Sequence, residues 1–471
     1  MQTSTIAIYP VDKKVTPIMP YAVKGKYRDI KTVILMLAYT VYFGMPWVVW
    51  HGSQRVGQPL LFDIANERFY LFDLVVYPQD LMLLVAAMIM AACLLFIVAT
   101  FYGRIFCGFF CFQTIWTDAF RIIEGWVQGE AQARQRLMKQ PWHLEKIAKL
   151  LTTYCLWFLL SLATAVTFSL YFATAPKLFA ELLTGQAAIA AYITVITLTL
   201  TTYFAAGIAK EDICRVACPY GKFQSVMQDP MTKTVNYDQS RGERQKGRIV
   251  PNKSLKNASE RNNLGYGDCT DCGYCVNVCP TGVDIRQGFQ IDCISCGLCI
   301  DACDSIMRAV KLPTGLIRFD HIESKQSVTA DFRFANQIKK LGYMTLLALS
   351  ACFIGYQIQN MTPYTVSIQQ QAQPLVTRLS DGTFKSRYIV RISNKTDSGE
   401  IYEIKTMGLP KNVKLMNDTF EIPAGKSYVH TVNMILNEED AEKLKSFKVM
   451  INPKSSPNAT TQVDLDYNFK L

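Results

Sequence analysis

Five apolar segments constrain this chain most, because each approaches the roughly 20 residues that a helix needs to cross a bilayer. They run approximately over 32–50, 81–102, 147–173, 187–209 and 341–358. Only 18% of the 471 residues are charged, against roughly 25% in an average soluble domain. Buried helices of a large soluble protein explain five such segments poorly. The first begins too late for a cleavable signal peptide, and no small-residue cleavage pattern follows it, so it is expected to stay as an anchor. A chain of this length has room for two to four domains.

Lysine and arginine counts orient the segments. The stretch before the first carries six (Lys13, Lys14, Lys24, Lys26, Arg28, Lys31) and the connection 103–149 carries seven; 51–80 carries two and 176–186 one. Positive residues accumulate on the cytoplasmic side, which makes a multi-pass membrane protein with a cytoplasmic N-terminus. The expected order is a leader over 1–31, a membrane domain with four transmembrane helices over 32–209, a cytoplasmic segment over 210–340, a fifth helix over 341–358 and a periplasmic domain over 359–471. The net charge of +11 does not point to nucleic acid, because 19 of the 49 Lys and Arg lie in the retained segment 210–340. No aromatic-interleaved basic groove accompanies them.

The aromatic stretch 64–78 (Phe69, Tyr70, Phe72, Tyr77) is expected to lie along the outer membrane surface. The tail alternates differently. Val463, Leu465, Tyr467 and Phe469 alternate with polar residues, as do Tyr388, Val390 and Ile392. Turn signals at Asp381-Gly382, Asn394–Gly399, Pro423–Gly425 and Asn452-Pro453 separate such runs. That pattern predicts an all-β immunoglobulin-like sandwich, without an inter-sheet disulfide because no cysteine follows Cys352.

Eight of the 15 cysteines fall between Cys269 and Cys303. They read Cys269-x2-Cys272-x2-Cys275-x3-Cys279-Pro280 and Cys293-x2-Cys296-x2-Cys299-x3-Cys303. Three close cysteines wrap three corners of a [4Fe–4S] cube, and the fourth, expected inside a helix, reaches the other cube. The spacing therefore predicts two [4Fe–4S] clusters in an inserted ferredoxin-like α+β domain at about 260–312. Cys269, Cys272, Cys275 and Cys303 would hold one; Cys293, Cys296, Cys299 and Cys279 the other. Gly273 and Gly297 sit at matching offsets, where small residues let backbone N–H groups approach sulfur. Zinc normally uses two Cys-x2-Cys pairs separated by a longer stretch, and a cytoplasmic location excludes disulfides. Asp304 stands where ferredoxins usually repeat the proline.

Two further pairs, Cys107-x3-Cys111 and Cys214-x3-Cys218, follow the second and fourth apolar segments. In a helix, residues four apart share one side, so four sulfurs can converge if the segments are neighbours. Such a site suits cuprous copper, a redox dithiol or docking beside the ferredoxin unit. Cys93, Cys155 and Cys352 read as packing residues. The four histidines (His51, His143, His321, His430) lie outside the middle of every apolar segment, which argues against bis-histidine haem. No glycine-rich dinucleotide fingerprint precedes a suitable helix, so NAD and FAD are not expected.

The chain resembles the cytochrome c oxidase accessory proteins of the CcoG, FixG or RdxA type over nearly its whole length. The resemblance rests on Arg68–Phe72 with Pro78–Asp80, Gly103–Cys107 through Trp116–Asp118, Cys214–Gly221, and Cys279–Arg286 continuing into Cys299–Asp304. Asp304 fits that family; Phe112 does not, since proline usually stands there. The resemblance implies assembly of a haem–copper oxidase through reduction of cupric to cuprous copper. It also implies assembly factors or copper transporters and chaperones as partners, with an unidentified cytoplasmic electron donor; a homodimer is admitted. Otherwise the chain is an electron carrier: an electron-transfer subunit of quinol dehydrogenase type, or a non-redox scaffold stabilised by its clusters.

Overall fold

A computed structural model describes residues 19–52, 56–64, 68–77, 80–250, 261, 263–322, 330–360, 364–370, 376–379, 383–395, 399–407, 419–423, 426–437, 444, 446–454 and 461–466. Lys13, Lys14, Pro78, Gln79, Asp381, Gly382, Gly425, Tyr467 and Phe469 lie outside the described residues. Among the described residues five helices are long and apolar enough to cross a membrane: Lys26–Trp47, Leu81–Tyr102, Leu144–Leu170, Ile189–Ala209 and Phe334–Gln359. The chain divides into two compact units, one ending at Cys352 and one ending with the chain.

In the first unit, α1 (Lys26–Gly44), α2 (Leu81–Tyr102), α3 (Ile105–Phe109), α4 (Phe112–Gln128), α5 (Ala131–Lys139), α6 (Leu144–Leu170) and α7 (Ile189–Thr202) follow in chain order. α4 is amphipathic, and its apolar face packs on α6. Trp116, Phe120, Trp157 and Leu35 are buried together, and Trp116 Nε1 donates to Thr164 Oγ1 at 2.9 Å. The fourth apolar helix ends in a π-helical stretch, Tyr203–Ala209. Widening a helix frees carbonyls, which must find donors. Gln113 Nε2 supplies two bonds, to Ala205 O at 2.7 Å and Lys210 O at 2.9 Å.

The cysteine-rich segment forms α9 (Tyr274–Asn277) and α10 (Leu298–Ala309), which follow α8 (Pro219–Met227). β3 (Lys233–Tyr237) and β4 (Ile317–His321) pair antiparallel beneath them. Their Val235, Tyr237 and Ile317, with Leu316 just before β4, share a buried core with Cys269, Cys275 and Met307. The two cysteine helices differ in length for a local reason. Pro280 disfavours helix at the residue before it, so α9 stops ahead of Cys279. Asp304 imposes no such stop, and α10 runs on to Ala309. Its carboxylate then accepts from Gly315 N at 2.9 Å, fixing the turn into β4.

In the second unit, β1 (Arg68–Leu71) and β2 (Leu74–Val76) form a hairpin. The rest is two antiparallel sheets from β5 (Tyr364–Gln370), β6 (Phe384–Asn394), β7 (Glu400–Met407), β8 (Thr419–Ile422), β9 (Ser427–Leu436), β10 (Ser446–Pro453) and β11 (Thr461–Asp466). One sheet runs β9–β6–β5, with Thr377–Arg378 also on β6; the other runs β8–β7–β10–β11. Tyr388, Val390 and Ile392 point inward as their alternation requires, onto Phe447, Val449 and Ile451. Asn452-Pro453 closes β10 rather than interrupting it. The aromatic stretch between the first two spans belongs with this unit. Lys395 Nζ meets both Asp80 oxygens at 2.7 and 2.9 Å and lies 5.4 Å from the Tyr77 ring centre.

Candidate functional site

The loops carrying the eight cysteines repeat one conformation. Gly273 (φ +65) caps α9 and Gly297 (φ +76) caps α10, each in the left-handed region that glycine adopts without cost. Two residues earlier, Asp271 (φ +49) and Ser295 (φ +52) adopt it without being glycine. Such conformations persist where the surroundings hold them. Asp271 accepts from Arg286 Nη1 at 2.6 Å, and Ser295 Oγ lies 3.0 Å from Thr234 Oγ1. The glycines themselves are not the donors found at sulfur. The donor there is the N–H of Val283, on Cys279 at 3.3 Å, while the backbone amides of Ser295 and Leu298 favour the ionised forms of Cys293 and Cys296. Positive φ at the neighbouring positions turns these amides inward.

Electrostatic neighbours sort the thiols into two sets. Burial raises the Cys303 thiol pKa, and Cys275, Cys269, Asp304 and Cys272 raise it further. Cys275 is pushed up to about 12 by burial; Arg286 opposes, while Asp284, Cys269 and Cys272 add. In the other set Cys293 is also pushed to about 12, by burial and then by Cys279 and Cys296. Cys299 is raised by burial, then by Cys293, Cys296, Cys279 and, last, Cys275. The fourth cysteine of each motif thus stands with the other motif's first three. Cys303 is inside α10 as the spacing requires, whereas Cys279 lies just beyond α9.

Thiols that oppose one another's ionisation, with Cys269, Cys275 and Cys296 buried among them, are a donor set in want of positive charge. Metal supplies it, deprotonating thiols outright. Among the described residues no three His, Cys, Asp or Glu side chains stand close enough to share one ion.

The second set abuts the membrane domain. Cys296, Ile294, Leu298 and Val278 share a buried core with Cys107 of α3. Gly108 permits this approach, since a Cβ there would meet Ile294 O at 2.6 Å and Cys296 Cα at 2.9 Å. Gly108→Ala is expected to displace the Cys293–Cys299 loop at a cost of about 1–3 kcal/mol, lowering the iron content. Gly125→Ala on α4 meets nothing within 4 Å and is expected to raise the melting midpoint slightly. Asp301, between Cys299 and Cys303, caps the first span by accepting from Tyr27 N at 3.2 Å and Arg28 N at 2.8 Å. Arg28 reaches back to Asp118 at 2.9 Å.

Cys107, Cys111, Cys214 and Cys218 also come together, but not on continuous helices. Cys107 is within α3 and Cys214 within the π turn Ile213–Ala217. Cys111 and Cys218 have extended backbones and cap α4 and α8. The thiol of Cys107 interacts with Cys111 and Cys218, and that of Cys214 with Cys111 and Cys107. Burial dominates both, pushing Cys214 up to about 12. Cys107 Sγ donates to Gln224 Oε1 at 2.9 Å. Of the solitary cysteines Cys93 is buried; Cys155 and Cys352 are exposed on their helices rather than packed.

Arg104, which the sequence reading passed over, joins the two regions. It is 3% exposed and donates to Ile291 O at 2.7 Å and Cys214 O at 3.3 Å. Its charge also lowers the Cys107 and Cys293 thiols against their burial. A charged residue just past a long apolar run and three before a cysteine was the available signal.

Comparison with known proteins identifies both extramembrane parts. A 4Fe-4S dicluster domain model matches residues 209–322, and a model for the IG-like fold at the C-terminal of FixG matches 354–470. The chain is similar to Protein RdxB of Cereibacter sphaeroides, 38% identical over 85% of this chain and 83% of that protein. Protein RdxA of the same organism is 35% identical over 83% and 82%. Nitrogen fixation protein FixG of Rhizobium meliloti is 36% identical over 66% and 58%.

Proposed function

The chain belongs to the FixG/RdxA-like family of membrane ferredoxins, and on that premise we propose that it reduces cupric to cuprous copper for assembly of a haem–copper oxidase. It is an iron–sulfur electron-transfer protein with membrane helices and an Ig-like C-terminal domain. Iron–sulfur clusters supply one-electron transfer, and one electron converts Cu²⁺ to Cu⁺. In this reading Cys269, Cys272, Cys275 and Cys303 ligate one cluster, and Cys279, Cys293, Cys296 and Cys299 the other. Both face the cytoplasm, where an electron donor loads them. The C-terminal domain faces the periplasm and meets oxidase assembly factors or copper carriers.

One observation carries the proposal: Cys296 and Cys299 of the second cysteine set share a buried core with Cys107 of the membrane edge, and Arg104 bonds both Ile291 O and Cys214 O beside it. Its guanidinium holds the Ile291–Cys293 backbone against Cys214. Electrons leaving the clusters therefore have a route through the membrane-edge thiols toward copper. Replacing Cys107, Cys111, Cys214 and Cys218 together with Ser is expected to lower cupric reduction at least tenfold, while EPR still shows both ferredoxin clusters. Undiminished reduction would remove the four thiols from the path.

A further inference from the structure

The pairs Cys107/Cys111 and Cys214/Cys218 are built alike. Cys111 N donates to Phe106 O at 3.0 Å, and Cys218 N donates to Ile213 O at 2.7 Å. Each bond spans the same six-residue turn, from the residue before the first cysteine to the second. Each second cysteine then caps a helix, of 17 residues in α4 and 9 in α8. This equivalence holds although Phe112 stands where Pro219 has its counterpart. The two turns face one another: Cys107 Sγ donates to Gln224 Oε1 of α8 at 2.9 Å, Arg104 before Cys107 bonds Cys214 O, and Cys107 is 5% and Cys214 9% exposed.

We propose that Cys107, Cys111, Cys214 and Cys218 hold a third, resident iron–sulfur cluster that carries electrons from the ferredoxin unit to the membrane edge. An all-sulfur set of four thiolates is the donor set of zinc or an iron–sulfur centre. Zinc has no redox chemistry and would not relay an electron. Copper gripped by four thiolates would be poorly released. Iron–sulfur clusters accept four thiolates, whether [2Fe–2S] or [4Fe–4S]. Such a cluster carries net negative charge, and three features offset it. The buried Arg104 lies against Cys107 and the Cys214 carbonyl, and the N-termini of α4 and α8 begin at Cys111 and Cys218, presenting positive dipole ends.

The site stands on its own geometry; only its role as a relay rests on the copper reading. The test is iron and acid-labile sulfide on the full chain, purified in detergent and reconstituted anaerobically with iron and sulfide, with Mössbauer spectroscopy. Two [4Fe–4S] clusters give about eight irons per chain, and a third cluster raises this to about ten or twelve. The variant with all four cysteines replaced by Ser is expected to return to about eight, with both ferredoxin EPR signals intact. Cys111→Ser alone, at a half-buried position, serves if the fourfold variant does not fold. About eight irons in the wild type, or an unchanged count in either variant, would overturn the proposal. Ten or twelve irons without cupric reduction would keep the cluster and reject the copper reading. Cupric reduction with eight irons would do the reverse.

Discussion

Cys303→Ala is expected to destroy the same cluster as Cys269→Ala, although the two residues belong to different sequence motifs. Cys279→Ala should instead match Cys296→Ala. The thiol of Cys303 feels Cys275, Cys269 and Cys272, while Cys279 acts on Cys293, Cys296 and Cys299. A cube missing one thiolate loses an iron or collapses, so each variant should forfeit up to half of the roughly eight ferredoxin irons. Reduced samples compared by EPR identify the surviving signal. The signal should be identical for Cys303→Ala and Cys269→Ala, and different for Cys279→Ala. If Cys303→Ala instead removed the signal lost in Cys296→Ala, each motif would serve its own cluster, and the exchange of fourth ligands would be wrong.

Glu124→Ala should be the most destabilising change outside the cysteines. Glu124 lies on α4 with its side chain 6% exposed, pairs with Arg134 of α5 and accepts from Lys210 at 2.5 Å. Removing the acid leaves one nearly buried guanidinium and one half-buried ammonium without their shared anion. Breaking a buried pair from one side costs about 3–5 kcal/mol, most of it the burial of the remaining charge. Lys210 can turn toward water, so the lower end of that range is expected. The thermal midpoint in detergent should fall clearly. Glu124→Gln, which keeps the shape and one acceptor, should fall less. A midpoint equal to wild type in both variants would show that the triad contributes little.

The parts legible in the sequence were those whose signals are local. Cysteine spacing defines two ferredoxin motifs because cluster loops are short and repeat. The alternation at Tyr388, Val390 and Ile392 announces a strand because one face of β6 is buried. Long-range features were harder to read. Nothing near Asp301 in the chain says that its carboxylate will cap α1, because its partners are more than 270 residues away. Four-residue spacing implied helical pairs at Cys107/Cys111 and Cys214/Cys218, yet each pair straddles a break. A helix ending and a helix beginning at one cysteine look, in sequence, like a continuous turn. Asp304 read as a departure from ferredoxins; in the fold it lets α10 continue and pins the next turn.

Electron flow from the clusters to copper is tested most directly by stopped-flow mixing. The full chain, purified anaerobically and reduced by dithionite freed of excess, is mixed with cupric ion and a cuprous-specific chelator. Cluster absorbance should return to its oxidised value while about one cuprous ion appears per electron stored, and the variant lacking the four membrane-edge thiols should do so at least tenfold more slowly. Clusters that stay reduced in the presence of cupric ion, or that reoxidise without yielding cuprous ion, would contradict it.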